Sequence, residues 1–326
     1  MLKKCLLLIF LVFVPVFLYS GIGIESFQFL KINPDARGAS INDGFVAVAD
    51  SANSLYYNPA GLTSLDNIAV SLMHMMYFAE TSYEYAALGI PLGDKLKAAI
   101  SIAYLNYGSI DLTAEDSLGV YTGSTSTFNP YNLALTGGLG FKLTKTMSLG
   151  ASLKYALEDI AGGSSSGIMA DAGVKLNTED FLLGAAIYNV GSSSDGGSTP
   201  LMGRVGIASR FTLVDPSDLT VAGGVNYILA SGKGSGSVGA EYIYESSLVF
   251  RGSYEMGKDI NGMNVGIGLK SNMGDMGYCV DYNLAFLGTL GTTHRISLTV
   301  GEATEEKSTK RRPTQRNNGI RRYGIK

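Results

Sequence analysis

Residues 147–160 read MSLGASLKYALEDI. In an extended chain Leu149, Ala151, Leu153, Tyr155 and Leu157 fall on one face, and Ser148, Gly150, Ser152, Lys154 and Glu158 on the other. Successive side chains of a strand point to opposite sides, so one face suits an apolar medium and the other a polar one. The pattern recurs at 247–257, where Leu248, Phe250, Tyr254 and Met256 oppose Arg251, Ser253 and Glu255. It recurs again at 274–287, where Tyr278, Val280, Tyr282, Leu284 and Phe286 oppose Cys279, Asp281 and Asn283.

Working outward, segments of this kind fall at 67–79, 81–92, 96–112, 129–144, 147–160, 166–178, 181–192, 199–212, 218–230, 236–246, 247–257, 262–272, 274–287 and 292–302, fourteen in all. An even number of short alternating strands parted by turn residues is the signature of a transmembrane β-barrel. The polar faces carry Lys154, Glu158, Asp171, Lys175, Arg204, Arg210, Glu241, Glu245, Arg251, Glu255, Lys270, Asp281 and Arg295. Short connections such as Lys145-Thr146 and 271–274 read as periplasmic turns. The longer stretches 113–128, 161–165 and 193–198, rich in Ser, Thr and Gly, read as mobile extracellular loops. Tyr77, Tyr104, Tyr107 and Tyr244 lie near strand ends and suit an interfacial belt. A soluble β-sandwich would alternate in the same way, so periodicity alone does not separate the two architectures.

Composition and targeting weigh on that choice. The 326 residues include 42 Gly and 19 Tyr with only 16% charged residues, unusual for a soluble enzyme. A net charge of −3 gives no reason to expect a nucleic-acid partner. Residues 1–22 place Lys3 and Lys4 before an apolar run at 5–18 and small residues after it, the order of a signal peptide cleaved between Ser20 and Gly23. Cys5 lies at the head of that run rather than after it, which excludes a lipoprotein, and cleavage leaves Cys279 as the only cysteine, so no intrachain disulfide can form. The rest of the chain has no apolar run long enough for a membrane helix, and a spanning chain must then close as a barrel.

The tail 303–326 follows the last strand. From Gly301 onward eight basic residues face three acidic ones, a net +5, and with few apolar residues the tail is expected to be disordered. An even strand number places it in the periplasm together with the N-terminus.

Residues 27–65, FQFLKINPDARGASINDGFVAVADSANSLYYNPAGLTSL, break the alternation. Ala36, Gly38, Ala39, Ser40, Gly44, Ala47, Ala49 and Ala52 permit close backbone packing, while Arg37, Asp43 and Asp50 need polar partners if buried. The stretch reads as a compact plug at 23–66 inside a barrel at 67–302. FQFLK, DARGAS and GFVAVADSANSLYYNPAGL resemble the N-terminal signature of the PorV/PorQ-type outer-membrane proteins, distant relatives of the FadL long-chain fatty-acid transporters. THRISL at 293–298 resembles that family's last strand. The resemblance implies a fourteen-stranded antiparallel barrel with an N-terminal hatch, exported by its signal peptide to a Gram-negative-type outer membrane. It implies carriage of hydrophobic or amphipathic small molecules of the long-chain fatty-acid type. The alternative it implies is a non-transporting scaffold or shuttle for secretion-system or surface-attachment proteins. Outer-membrane lipid is a partner under either reading.

In this family the matching Asn-Pro-Ala lies in the hatch, so Asn58, Pro59 and Ala60 would hold the plug. Pro59 fixes its own φ and turns Asn58 out of the helical region, freeing the Asn58 amide to bind nearby backbone. Arg37 and Asp50 are expected to pair with lumenal charges. An amphipathic acid would need an apolar wall and a cation. Phe45, Leu55, Tyr56 and Tyr57 could form the wall, and Arg204, Arg210, Arg251 or Lys270 the cation, unless those charges pair among themselves. No enzyme, metal site or cofactor is expected: His74 and His294, more than two hundred residues apart, and one thiol make no usual zinc or nucleophile site. The glycines around Lys233 lack the strand-loop-helix setting of a phosphate loop.

Overall fold

A computed structural model describes residues 25–160, 163–214, 216–229, 231–257, 262–273 and 276–302. The expected signal peptide and the basic tail lie outside the described residues. The strands are β1 (Ala69–Met76), β2 (Ser82–Pro91), β3 (Leu96–Asn106), β4 (Ile110–Glu115), β5 (Tyr121–Phe128), β6 (Tyr131–Lys142), β7 (Met147–Ile160), β8 (Gly163–Asn177), β9 (Leu182–Ser193), β10 (Met202–Val214), β11 (Ser217–Ile228), β12 (Lys233–Tyr244), β13 (Leu248–Met256), β14 (Gly262–Met273), β15 (Met276–Phe286) and β16 (Thr292–Glu302). Fourteen of them form a closed antiparallel barrel in chain order, and β16 returns to pair with β1 from Val70↔Val300 to Met76↔His294.

The strand that runs through 96–112 in the sequence reading is in fact broken. β3 stops at Asn106, and β4 and β5 form a separate two-stranded hairpin inserted between β3 and β6. The stretch 113–128, expected as a mobile loop, is therefore mostly strand. Gly108, at φ 77, lets the chain turn out of the wall at this point.

The alternation sorts as anticipated. On β7, Leu149, Leu153 and Tyr155 are exposed outward, whereas Ser152, Lys154 and Ala156 are buried inward. Outward-facing Ile100, Val205, Phe250, Ile267, Val280 and Ile296 continue an apolar band around the barrel, as a lipid-facing wall requires. Among the tyrosines expected in a belt, Tyr104 stacks with Tyr131 and Tyr244 is exposed, but Tyr77 and Tyr107 pack inward against the core. Glu245 leaves the polar inner face for the β12–β13 turn.

Residues 25–65 occupy the lumen as short helical turns, Gln28–Lys31, Ala36–Ile41, Asn42–Gly44, Phe45–Val48, Ser54–Tyr57 and Pro59–Ser64. Each is too short to be stable alone, and burial against the wall holds it. Asp35 caps the second, accepting from the backbone N–H of Arg37 and Gly38. The segment runs lengthwise through the barrel. Glu25 bridges Ser198 in the β9–β10 connection, at the end carrying the β4–β5 hairpin, and Leu65 lies by Gly89 near the other end. Glu302 is also at that other end, opposite Gly277. Residue 25 and the C-terminal strand thus lie at opposite ends, contrary to the shared side expected from strand parity. Parity counts strands only, and a segment threaded through the lumen puts residue 25 at the end opposite to the start of β1.

Candidate functional site

The lumen has two unlike halves. On β1, β2 and β3 the inward face is apolar: Met73, Met75, Tyr83, Tyr85, Ala103 and Leu105 are buried there against Phe29, Leu30, Leu55 and Leu62 of the N-terminal segment. On β8 to β15 it is polar, with Asp171, Lys175, Arg204, Glu241, Arg251 and Asp281 all buried.

The polar half holds a chain of alternating charge. Arg210 faces Asp50 at 3.6 Å and Asp50 binds Arg37 Nη1 at 2.7 Å. Arg37 Nε donates to Glu241 at 2.9 Å, Arg251 Nε donates to the same carboxylate at 2.6 Å, and Arg251 Nη1 donates to Asp281 at 2.5 Å. Arg37 and Asp50 belong to the segment and the other four to the wall, so the chain ties one to the other. Arg204 pairs with Asp43 at 3.5 Å and lies over the rings of Tyr56 and Tyr188. Lys175 donates to the carbonyls of Val48 and Ala49. Lys270 faces the lumen on β14, across from Cys279. Buried charges in such numbers need this pairing, because an unmatched one costs several kcal/mol.

Asn58 has no exposed surface and extended backbone, with φ −168°. Its amide nitrogen donates to Val46 O and Val174 O, both at 3.0 Å, and its oxygen accepts from Ala60 N at 3.1 Å. One side chain thus joins two turns of the segment to β8. Glycines make room for it. A Cβ on Gly150 would lie closer than 3.0 Å to Pro59 C and Ala60 N, and one on Gly173 closer than that to Asn58 Oδ1. Gly140, Gly150 and Gly173 are register partners across β6, β7 and β8, and Gly184, Gly206 and Gly224 are register partners across β9, β10 and β11. Cβ atoms on Gly206 and Gly224 would meet Val46 Cγ1 and Asp43 C at 2.6 Å. These two rows form a bare track on which the backbone of the segment rests.

Between the apolar wall and the segment lies a narrow cavity of about 20 Å³, lined by Leu30, Leu55, Tyr56, Tyr83, Tyr85 and Lys154 among others. Of the residues expected to line a ligand, Leu55 and Tyr56 stand at this cavity. Phe45 and Tyr57 instead stack edge to face at 4.7 Å, and Arg204, Arg210, Arg251 and Lys270 stand elsewhere. The cation at the cavity is Lys154, held by Asn189 Oδ1 at 2.7 Å and Asp171 at 3.3 Å. Sequence reasoning did not single out Leu30, Tyr83, Tyr85 or Lys154 for this place. The available signal was loss of alternation: in β1 Leu72 and Met76 face outward while Met73 and Met75 face inward, so both faces are apolar.

Leu30 closes the cavity from the turn Gln28–Lys31, whose carbonyl at Leu30 accepts from Tyr56 OH at 3.1 Å. That turn is clipped to the rim. Lys31 pairs with Glu25 at 2.7 Å, Ser26 N donates to Ser198 O at 3.0 Å, and Ser26 Oγ donates to Asp195 at 2.9 Å. Hydrogen bonds from Ser193, the Gly197 N–H and Ser26 hold the exposed Asp195 carboxyl down to about 2. A carboxyl depressed from about 4 contributes stability above that pH and loses it as pH falls through its folded value. The mobility of a dye carried on Gln28→Cys should therefore be flat from about pH 8 to 4 and rise below about pH 3. Release near pH 6 would show that Asp195 is not the holding group.

His74 and His294 both lie on the outer face near the hairpin end. His74 Nδ1 bonds Glu84 at 2.7 Å, and His294 bonds Tyr282 OH at 2.6 Å and Thr292 Oγ1 at 3.3 Å. Neither bonds a serine or cysteine among the described residues.

No family model and no curated protein matches the sequence. Solved structures do match. The toluene transporter TbuX of Ralstonia pickettii superposes with a TM-score of 0.54 at 14% identity, covering 77% of this chain and 92% of that one. The toluene transporter TodX of Pseudomonas putida superposes at 0.53 with 12% identity, covering 80% and 96%. At these identities the likeness is one of fold: this chain is a closed fourteen-stranded antiparallel β-barrel of the same architecture as those transporters.

Proposed function

We propose that this protein is an outer-membrane transporter of hydrophobic or amphipathic small molecules, in which residues 23–66 act as a plug. The observation that carries the reading is the apolar inner wall of β1–β3 with its tyrosine-lined cavity. A barrel that merely spans a membrane has no need of apolar side chains on both faces of three adjacent strands. The cavity, about 20 Å³, is far below the roughly 300–1,000 Å³ usual for ligand sites, so a hydrophobic ligand would enter only if the segment shifts. Even a single ring would require Leu30 or Leu55 to move. Asn58, Pro59, Ala60, Arg37 and Asp50 anchor the plug in this reading. The likeness to toluene transporters agrees with it at the level of fold.

A PorV/PorQ-like scaffold that conducts nothing is the second reading. It is favoured by the glycine track and the charge chain, which leave the segment tightly held across the polar half of the lumen.

The two separate in lipid vesicles carrying the full mature chain, with transfer of toluene and of a fluorescent long-chain fatty acid measured. Saturable transfer, reduced by Ala103→Leu in the cavity wall, is the expected result. No transfer by a barrel shown to be folded would move the assignment to the scaffold. Asn58→Ala leaves Val46 O and Val174 O without their buried donor and should loosen the plug by about 2 kcal/mol, since an unsatisfied buried group costs roughly 1–3. Hydrogen exchange of the 46–60 amides measures it, and wild-type protection would remove Asn58 as the anchor.

A further inference from the structure

The β4–β5 hairpin takes no part in the barrel or the cavity. Its two strands pair only with each other among the described residues, from Ile110↔Phe128 to Glu115↔Tyr121. A two-stranded hairpin is marginal by itself in water, and its outer edges present N–H and C=O groups suited to a further strand. Its tip is nevertheless well ordered by its own bonds. Asp116 accepts from the N–H of Leu118 at 2.8 Å and of Val120 at 3.0 Å, and Gly119 takes the positive φ of 78° that the turn needs. Thr122 Oγ1 donates to Ala114 O at 3.1 Å across the strands.

This ordered tip displays apolar side chains to solvent. Leu118 is 85% exposed, Tyr121 65% and Val120 57%, and Ile110 and Leu112 extend the apolar surface down β4. Asp111, Glu115 and Asp116 accompany them, and residues 110–128 contain no Lys or Arg. An apolar centre with an acidic border, pre-ordered before any encounter, has the form of a protein-binding hot spot. It is unlike a lipid-binding loop, because anionic membrane surfaces select Lys and Arg.

We infer that the β4–β5 hairpin is a docking element for a protein partner that supplies an apolar pocket and a basic strand. The partner strand adds to the open edge by main-chain hydrogen bonds, seats Leu118 and Tyr121, and sets Lys or Arg against Asp111 and Glu115. This surface is independent of the transport reading, because none of these residues lines the cavity or touches the charge chain.

The test uses the full chain in detergent micelles and a short peptide of alternating Lys and Val. An alternating Glu and Val peptide and vesicles of anionic lipid are the comparison arms. The expected result is saturable binding of the Lys peptide that weakens with salt. It should drop by about tenfold in Leu118→Asp, and by a similar factor in the Asp111→Lys, Glu115→Lys double variant. Both variants lie on exposed positions, and heat-dependent mobility of the barrel on a gel confirms folding. Equal binding of the Glu peptide, indifference to both variants, or capture by the vesicles would each overturn the inference. Toluene transfer stays at the wild-type rate in both variants if the hairpin and the cavity are separate functions.

Discussion

Replacing Glu241 with Ala is expected to destabilise the lumenal segment by about 3–5 kcal/mol, the cost of removing one member of a buried ion pair. Glu241 stands between two guanidinium groups, Arg37 at 2.9 Å and Arg251 at 2.6 Å. Without it the two cations face each other in a site largely shielded from water, with Asp50 beside Arg37 and Asp281 beside Arg251. The wall keeps Arg251 on β13, so relief comes from the segment, which would withdraw Arg37. The effect should therefore concentrate in residues 36–50, with the barrel ladder intact. Hydrogen exchange resolves this: faster exchange at 36–50 with unchanged protection of β12 and β13 is expected. Uniform wild-type protection would mean that the chain of charges does not hold the segment. A Glu241→Gln variant retains the shape and some hydrogen bonding and should fall between the two.

Gly150→Val is expected to expel the Pro59–Ser64 turn from its seat. Even a Cβ at this position would lie closer than 3.0 Å to Pro59 and Ala60 backbone atoms, and neither the strand nor a proline-braced turn can give by that amount. Overpacking of a close-packed site costs roughly 1–3 kcal/mol when side chains can adjust, and here the obstacle is backbone. The barrel can still close, because β6, β7 and β8 keep their register, but its lumen would be partly open. Planar bilayers should then show a steady ion conductance that wild type lacks. Gly137→Val on β6 is the control, since its Cβ would meet nothing within 4 Å. Equal conductance in both variants would sink the idea that the glycine rows seat the segment.

The barrel could be read from the sequence because its cause is local. A strand such as Met147–Ile160 states its two faces through a repeat of two residues, and the strand count follows from the turns between repeats. The β4–β5 hairpin escaped because Ile110–Glu115 continues the alternation of β3, and alternation carries no record of which strand a segment pairs with. Pro59 likewise announced a turn at Asn58, while the choice of Val174 O on β8 as its acceptor lies 116 residues away in the chain.

What the sequence by itself determined is the number of barrel strands and the outward apolar band, consequences of a period-two pattern repeated along one chain, and, once the family resemblance was added to that pattern, the class of fold. The tertiary structure alone decided the rest. It put an apolar inner wall on β1–β3 and paired charges on β8–β15. It aligned the glycines into a track and ran the N-terminal segment from the hairpin end to the other. These depend on which inward faces meet across the lumen once the barrel has closed, and a strand's own residues specify its two faces without specifying what stands opposite them.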